Sequence, residues 1–318
     1  MKELVILSGK GGTGKTSLAG CLAHLNGKSM LVDCDVDASN LHLILQSEIR
    51  HRHEFVSGRK AQLDSEACTA CGICEEHCRF EAIKERDGVF AVDDIACEGC
   101  GVCVHVCPEN AVAMVDNIGG RWFESTCPYG PFLHGELGIG QGNSGKLVSL
   151  LKQRARELAQ ESDLPLTIID GPPGIGCPVI ASLTGADYAL IVTEPSPSAR
   201  HDMNRLLQLA GHFHIPTGIC INKYDLNEEV TVEIENEARQ LGSSVIGRIS
   251  FDPSFTRAQK KATTLLEYGG GRTAGQIEAI WKKLKPLVMA EGTAKVPSEC
   301  EGCPFLSVRP PDIGGRRS

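Results

Sequence analysis

No apolar stretch in the 318 residues approaches the roughly 18 needed to cross a bilayer as a helix. The opening run Met-Lys-Glu-Leu-Val-Ile-Leu-Ser is short and lacks the cleavage site of a secretory signal, so a cytoplasmic location is expected. Positive charge is in deficit. The 32 Lys and Arg stand against 40 Asp and Glu, giving a net charge of −8 and a pI near 5.7. That balance argues against a broad nucleic-acid-binding face, and no stable nucleic-acid partner is expected. No G-x-S-x-G nucleophile motif occurs, and the ten histidines show no zinc-protease or other ligand spacing. The tail from Val308 to Ser318, with Pro-Pro, Gly-Gly and Arg-Arg pairs, does not read as a basic amphipathic membrane helix.

What the sequence has in excess is cysteine, 15 in all. Their clustering, without a secretory signal, points to metal ligation in a reducing compartment rather than to disulfides. Hydrophobic content of 42% and charged content of 23% are those of a soluble globular chain, long enough for about two domains.

Runs rich in Val, Ile and Leu predict buried strands over 2–8 and 29–33, with a glycine loop at 9–16 and a helix over 17–26 between them. From about 48 to 66 the sequence is polar and this rhythm stops; residues 68–112 are cysteine-rich. Beyond 144 the alternation resumes. Helices are expected over 146–161, 199–212, 228–241 and 274–289, with strands over 166–170, 188–193, 217–222 and 244–249. The pattern predicts an α/β fold, a parallel sheet flanked by helices, carrying a small inserted α+β domain. The expected divisions are 1–58 and 119–292 for the α/β domain, 59–118 for the insertion and 293–318 for a flexible tail.

Gly9-Lys10-Gly11-Gly12-Thr13-Gly14-Lys15-Thr16 fits G-x-x-x-x-G-K-[ST] between a strand and a helix. The glycines let backbone N–H groups converge on phosphate oxygens at a helix N-terminus. Lys15 is expected to neutralise the β and γ phosphates and the Thr16 hydroxyl to bind Mg²⁺, with Ser17 beside them. Lys10, directly after the first glycine, makes the loop resemble the deviant Walker A motif of the MinD/ParA/Mrp/nitrogenase-iron-protein superfamily.

That resemblance covers essentially the whole chain outside roughly 60–118. It implies an ATPase in which Lys10 reaches the nucleotide of a second subunit, so that ATP closes a homodimer. It also assigns Val32-Asp33-Cys34-Asp35-Val36-Asp37 to switch I, with Asp35 a catalytic and Mg²⁺-site residue and Asp37 a weaker accessory. Ile168-Ile169-Asp170-Gly171-Pro172-Pro173-Gly174 resembles Walker B and switch II, with Asp170 supporting Mg²⁺ at a strand end. Asn222, in Ile221-Asn222-Lys223-Tyr224-Asp225, and Pro253, in Phe251-Asp252-Pro253, are placed at the base. N-K-x-D also resembles the guanine motif of GTPases, so ATP over GTP rests on the resemblance.

One segment repeats. Cys68-x₂-Cys71-x₂-Cys74-x₃-Cys78 recurs as Cys97-x₂-Cys100-x₂-Cys103-x₃-Cys107, with a glycine between the second and third cysteines of each copy. This is the two-cluster ferredoxin run, whose fourth cysteine ligates the other cluster. Cys68, Cys71, Cys74 and Cys107 are then expected to hold one [4Fe–4S] cluster, and Cys97, Cys100, Cys103 and Cys78 the second. Gly72 and Gly101 let the backbone approach and donate to sulfide. A pair of Cys₄ zinc sites is the competing reading. Arg79 stands where the second copy has Pro108, and a cation beside Cys78 should raise that cluster's potential modestly.

Cys300-x₂-Cys303 is either a metal-holding pair shared across a dimer, as in Mrp-type carriers, or idle. Cys177 has the spacing of a nitrogenase-iron-protein ligand but lacks the second cysteine, since Gly138–Gln141 offers Gln. Cys21, Cys34, Cys127 and Cys220 read as small buried or half-buried residues, and His77 and His105 as surface. The reading reached is an ATP- and Mg²⁺-dependent dimer switch coupled to electron transfer through two [4Fe–4S] clusters, with an unidentified redox or iron–sulfur acceptor protein. The alternatives are an Mrp-type cluster carrier and a MinD/ParA-like spatial organiser with a redox-sensing domain.

Overall fold

The computed structural model describes residues 1–138, 140–142 and 144–290, so Cys300, Cys303 and the tail lie outside the described residues. In chain order the elements are β1 (Lys2–Ser8), α1 (Lys15–Asn26), β2 (Met30–Asp33), α2 (Leu41–Ile44), β3 (Glu48–Leu63), α3 (Ile73–Glu76), β4 (Ile83–Arg86) and β5 (Val89–Val92). They continue with α4 (Val102–Val106), β6 (Val112–Cys127), β7 (Gly130–Leu137), α5 (Ser144–Glu161), β8 (Leu166–Pro173), α6 (Cys177–Leu183), β9 (Tyr188–Thr193) and α7 (Pro197–His212). After β10 (Thr217–Asn222) and a 3-10 turn at Tyr224–Leu226 come α8 (Glu228–Gln240), β11 (Ser244–Ile249), α9 (Ser254–Lys260), α10 (Leu265–Tyr268) and α11 (Gly271–Met289). No described helix is long and apolar enough to cross a membrane.

The main sheet has nine strands in the order β11-β10-β9-β1-β8-β2-β7-β6-β3. From β11 to β7 every pairing is parallel, and β6 pairs antiparallel with both β7 and β3. Because alternate side chains of a strand point to opposite faces, β1 feeds two cores at once. Val5 and Leu7 pack on one face against α5 and α7 residues such as Leu151 and Met203. Leu4 and Ile6 pack on the other against Leu18 and Leu22 of α1 and Leu284 of α11. The helices and strands expected before residue 34 and beyond 144 therefore lie where the periodicity puts them, within a few residues, whereas α2, α6, α9, α10 and the parallel strand β7 were not expected.

The region 48–137 departs from that reading. The stretch expected to be polar and irregular is β3, a strand of 16 residues, paired with the 16-residue β6 from Glu48↔Thr126 to Leu63↔Val112. Nine of the 16 positions of β3 are exposed and only three are buried, so no clean alternation marks it. Alternation marks a strand only when one face is buried. Its charged residues suit the sheet edge it forms.

Residues 64–111 sit at the tip of this two-stranded ribbon. They contain α3, the β4–β5 hairpin and α4 around a small core of Ala61, Cys74, Ile83, Phe90, Cys103 and Val112. The expected divisions at 59 and 118 fall inside the ribbon, where Arg59 faces Asp116 and Val56 faces Ile118.

Candidate functional site

The loop after β1 lies at the carboxyl ends of the parallel strands, where open α/β sheets take their ligands. Two of its glycines are fixed by space. A Cβ on Gly9 would stand 2.2 Å from Asp202 Cβ, and one on Gly14, whose φ is +90°, 2.4 Å from Asn222 Nδ2. Gly14 caps α1, leaving the first-turn N–H groups of that helix facing the loop.

Lys15 is almost wholly buried. Its Nζ donates to Asp170 Oδ1 at 2.6 Å and lies 3.9 Å from Asp35 Oδ2. Burial alone would lower its ammonium, but pairing with Asp170 outweighs burial and holds it above its ordinary value. Burial pushes Asp35 above the usual carboxylate range despite the neighbouring lysine. Asp33, which sequence reasoning did not single out, is fully buried beside them. Burial and the Asp170 charge raise it, and it accepts from Ser39 Oγ at 2.8 Å and from the Asn40 and Leu41 N–H groups at 3.1 and 3.0 Å.

Two polar atoms at this point, Asp170 Oδ2 and Thr13 Oγ1, are buried with no hydrogen-bond partner among the described residues. Such orphans are costly unless a ligand, ion or water completes them. The donor set fits MgATP: a buried cation on the loop, a helix N-terminus, and an Asp oxygen with a free coordination position.

The remaining expected residues divide. Asn222 locks the loop, donating from Nδ2 to Thr13 O at 2.8 Å. Ser17 Oγ accepts from Gln259 Nε2 at 2.8 Å and so faces α9. Pro253 caps α9, next to a half-exposed Phe251 whose N–H donates to Asp225 Oδ1 at 2.7 Å. Asp37 is exposed. Lys10 Nζ pairs with Glu194 Oε1 at 2.7 Å, and Lys223 Nζ with Glu194 Oε2 at 2.8 Å. Glu194 and Asp33 were missed because each is a single acidic residue at the end of a buried strand, a common pattern without spacing of its own.

The eight repeat cysteines line two cavities in the unit at the ribbon tip. One is lined by Cys68, Cys71, Cys74 and Cys107; the other by Cys78, Cys97, Cys100 and Cys103. The fourth cysteine of each run thus reaches the other run's cavity. Gly72 and Gly101 cap α3 and α4 with left-handed φ of 79° and 75°, where a side chain would be strained. The Ala82 N–H donates to Cys78 Sγ at 3.4 Å and the Ala111 N–H to Cys107 Sγ at 3.3 Å. Among the described residues no three His, Cys, Asp or Glu side chains gather round one point as a single ion demands.

Cys177, exposed, opens α6. Cys21, Cys34 and Cys220 are buried and Cys127 is half-buried; burial pushes the Cys21 thiol up to about 11 and the Cys220 thiol up to about 12, which keeps both unreactive. His77 and His105 are exposed.

The chain matches the CobQ/CobB/MinD/ParA nucleotide binding domain over residues 4–265. It is 35% identical over 228 residues to an uncharacterized protein of Methanocaldococcus jannaschii, covering 71% of this chain and 79% of that one. It is 24% identical over 266 residues to the septum site-determining protein MinD of Bacillus subtilis, covering 81% and 79%. Its fold is similar to that of MinD from Pyrococcus horikoshii complexed with Mg-ADP, with a TM-score of 0.53, 16% identity and coverage of 93% and 99%. The buried Lys15–Asp170 pair, the strand-loop-helix frame and the match across most of its length lead to one conclusion: the chain belongs to the CobQ/CobB/MinD/ParA nucleotide-binding family and has the fold of its P-loop ATPases.

Proposed function

We propose that this chain binds and hydrolyses ATP in a homodimer and that the nucleotide cycle governs electron transfer through two [4Fe–4S] clusters held at the ribbon tip. The observation that carries the redox half is the sorting of eight cysteines into two cavities, each lined by the quartet that cross-ligation requires. Two tandem runs of four cysteines, each sending its fourth cysteine to the other run's cavity, suit a pair of cubanes better than two separate zinc sites. The clusters, when bound, supply one-electron storage. The chain contributes the eight thiolates, the Ala82 and Ala111 N–H groups on two of them, and a small apolar core beside them.

At the loop, the N–H groups of residues 11–16 cradle the phosphates and Lys15 neutralises the transferring group. Thr16 and Asp170 would hold Mg²⁺, and Asp35 would orient the attacking water. Lys15, paired with Asp170 in the free chain, would turn to phosphate oxygens when triphosphate binds and leave the Asp170 carboxylate available to a metal. The preference for ATP over GTP rests on the family resemblance.

The test is anaerobic preparation of the full chain with assay of iron, zinc, acid-labile sulfide and ATP hydrolysis. About eight irons and eight sulfides per chain, with hydrolysis lost in Lys15→Ala, is the expected result. Stoichiometric zinc without sulfide would sink the redox half. Hydrolysis persisting in Lys15→Ala would sink the nucleotide half.

A further inference from the structure

Lys10 is the second residue of the phosphate loop, yet in the single chain its ammonium turns away from that loop. It pairs with Glu194 Oε1 at 2.7 Å and donates to Ser196 Oγ at 3.2 Å, both in the segment between β9 and α7. The other oxygen of the same carboxylate takes Lys223 Nζ at 2.8 Å, and that ammonium also donates to Gly12 O at 3.0 Å. Glu194 is only 18% exposed in its side chain and Lys10 33%, so the pair is half-buried and less screened than a surface contact.

We propose that Glu194 is a positioning residue that holds Lys10 in cis and thereby sets the nucleotide concentration at which two chains close. This rests on the dimer reading above, in which Lys10 serves the nucleotide of the partner subunit. One ammonium cannot make both contacts. The cation that must cross to the partner starts bound to its own chain's carboxylate, and closure has to break that pair. The other loop lysine is neutralised separately by Asp170. Releasing it requires only nucleotide in the same chain, whereas releasing Lys10 requires a second chain. Glu194 therefore adds a cost to dimer closure and not to the first binding step.

The experiment is sedimentation velocity of the full chain with Mg²⁺ and a titration of a non-hydrolysable ATP analogue, which removes turnover from the readout. Glu194→Gln keeps the shape and loses the charge, and Glu194→Ala removes both contacts should the glutamine variant fold poorly. Either is expected to reach half-maximal dimer at an analogue concentration lower by about three- to fivefold, the size of one weak ion pair. Lys10→Ala and the Lys10→Ala/Glu194→Gln double variant are expected to stay monomeric. An unchanged or raised threshold in both Glu194 variants overturns the holding role while leaving the dimer intact, as does a double variant that dimerises. A wild-type chain that stays monomeric at saturating analogue overturns the dimer reading and Glu194's role together.

Discussion

Lys15 sits among three carboxylates, Asp170, Asp35 and Asp33, all wholly or largely withdrawn from water. Removing one partner of a buried pair leaves an uncompensated charge, which costs about 3–5 kcal/mol. Lys15→Ala is therefore expected to lower the stability of the chain by that order as well as to end hydrolysis. Added Mg²⁺ should recover part of the loss by occupying the carboxylates. Thermal melts of wild type and variant with and without Mg²⁺ check this, and a variant as stable as wild type contradicts it.

His134 makes the second residue-scale prediction. It is 2% exposed, stacked on Phe123 and Phe132 at 4.7 and 5.0 Å, and its Nδ1 has no partner among the described residues. Burial, and then the neighbouring His42, push it down from 6.5 to about 4. The folded chain keeps the ring neutral while the unfolded chain protonates it. Stability is thus full above about pH 6.5 and falls as the pH drops towards 4. His134→Phe should remove about 2 kcal/mol of the difference between about pH 7.5 and about pH 5, measured by denaturant unfolding. At this scale the sequence is most readable where spacing is the chemistry. The eight cysteines and the loop glycines announce themselves, whereas Glu194, Asp33 and His134 owe their surroundings to strands distant in sequence.

Among elements, β1, β8, β9 and β10 were legible because a strand covered on both faces must be apolar throughout. β3 and most of β6 were not, because a ribbon exposed on both faces carries no pattern of burial. Its strength lies in backbone pairing, which any polar sequence can supply. The ribbon's seat on the small unit is tight at one point: a Cβ on Gly99, whose φ is +67°, would lie 2.1 Å from the Arg59 carbonyl oxygen. Since backbone cannot swing aside, Gly99→Ala must displace the turn between Cys97 and Cys100. The iron content is expected to fall from about eight to about four per chain with ATP hydrolysis retained. Full iron loading in that variant would contradict the seating described here.

For the whole molecule, the sheet itself joins the two sites. The segment that resembles switch I follows β2, β2 pairs with β7, and β7 pairs with β6, which adjoins the small unit. The Leu137 N–H at the end of β7 donates to Val36 O inside switch I at 3.1 Å, and the next N–H, of Gly138, donates to Gly119 O on β6 at 2.9 Å. In the proposed cycle, a rearrangement of Asp35 and Val36 about the γ-phosphate would pull on the strand that leads to the cysteines. Slower amide exchange at Leu137 and Gly138 with MgATP than with MgADP is the expected signature; equal exchange in both would show that switch I moves without the ribbon.

The account stands or falls on whether nucleotide is felt at the cysteine cavities. The direct measurement is electron paramagnetic resonance of the dithionite-reduced full chain, prepared anaerobically, with and without MgATP. The predicted result is an interacting two-cluster spectrum from about eight irons per chain whose line shape or midpoint potential shifts when MgATP is added. A two-cluster spectrum indifferent to MgATP, at nucleotide concentrations that saturate hydrolysis, would contradict the coupling.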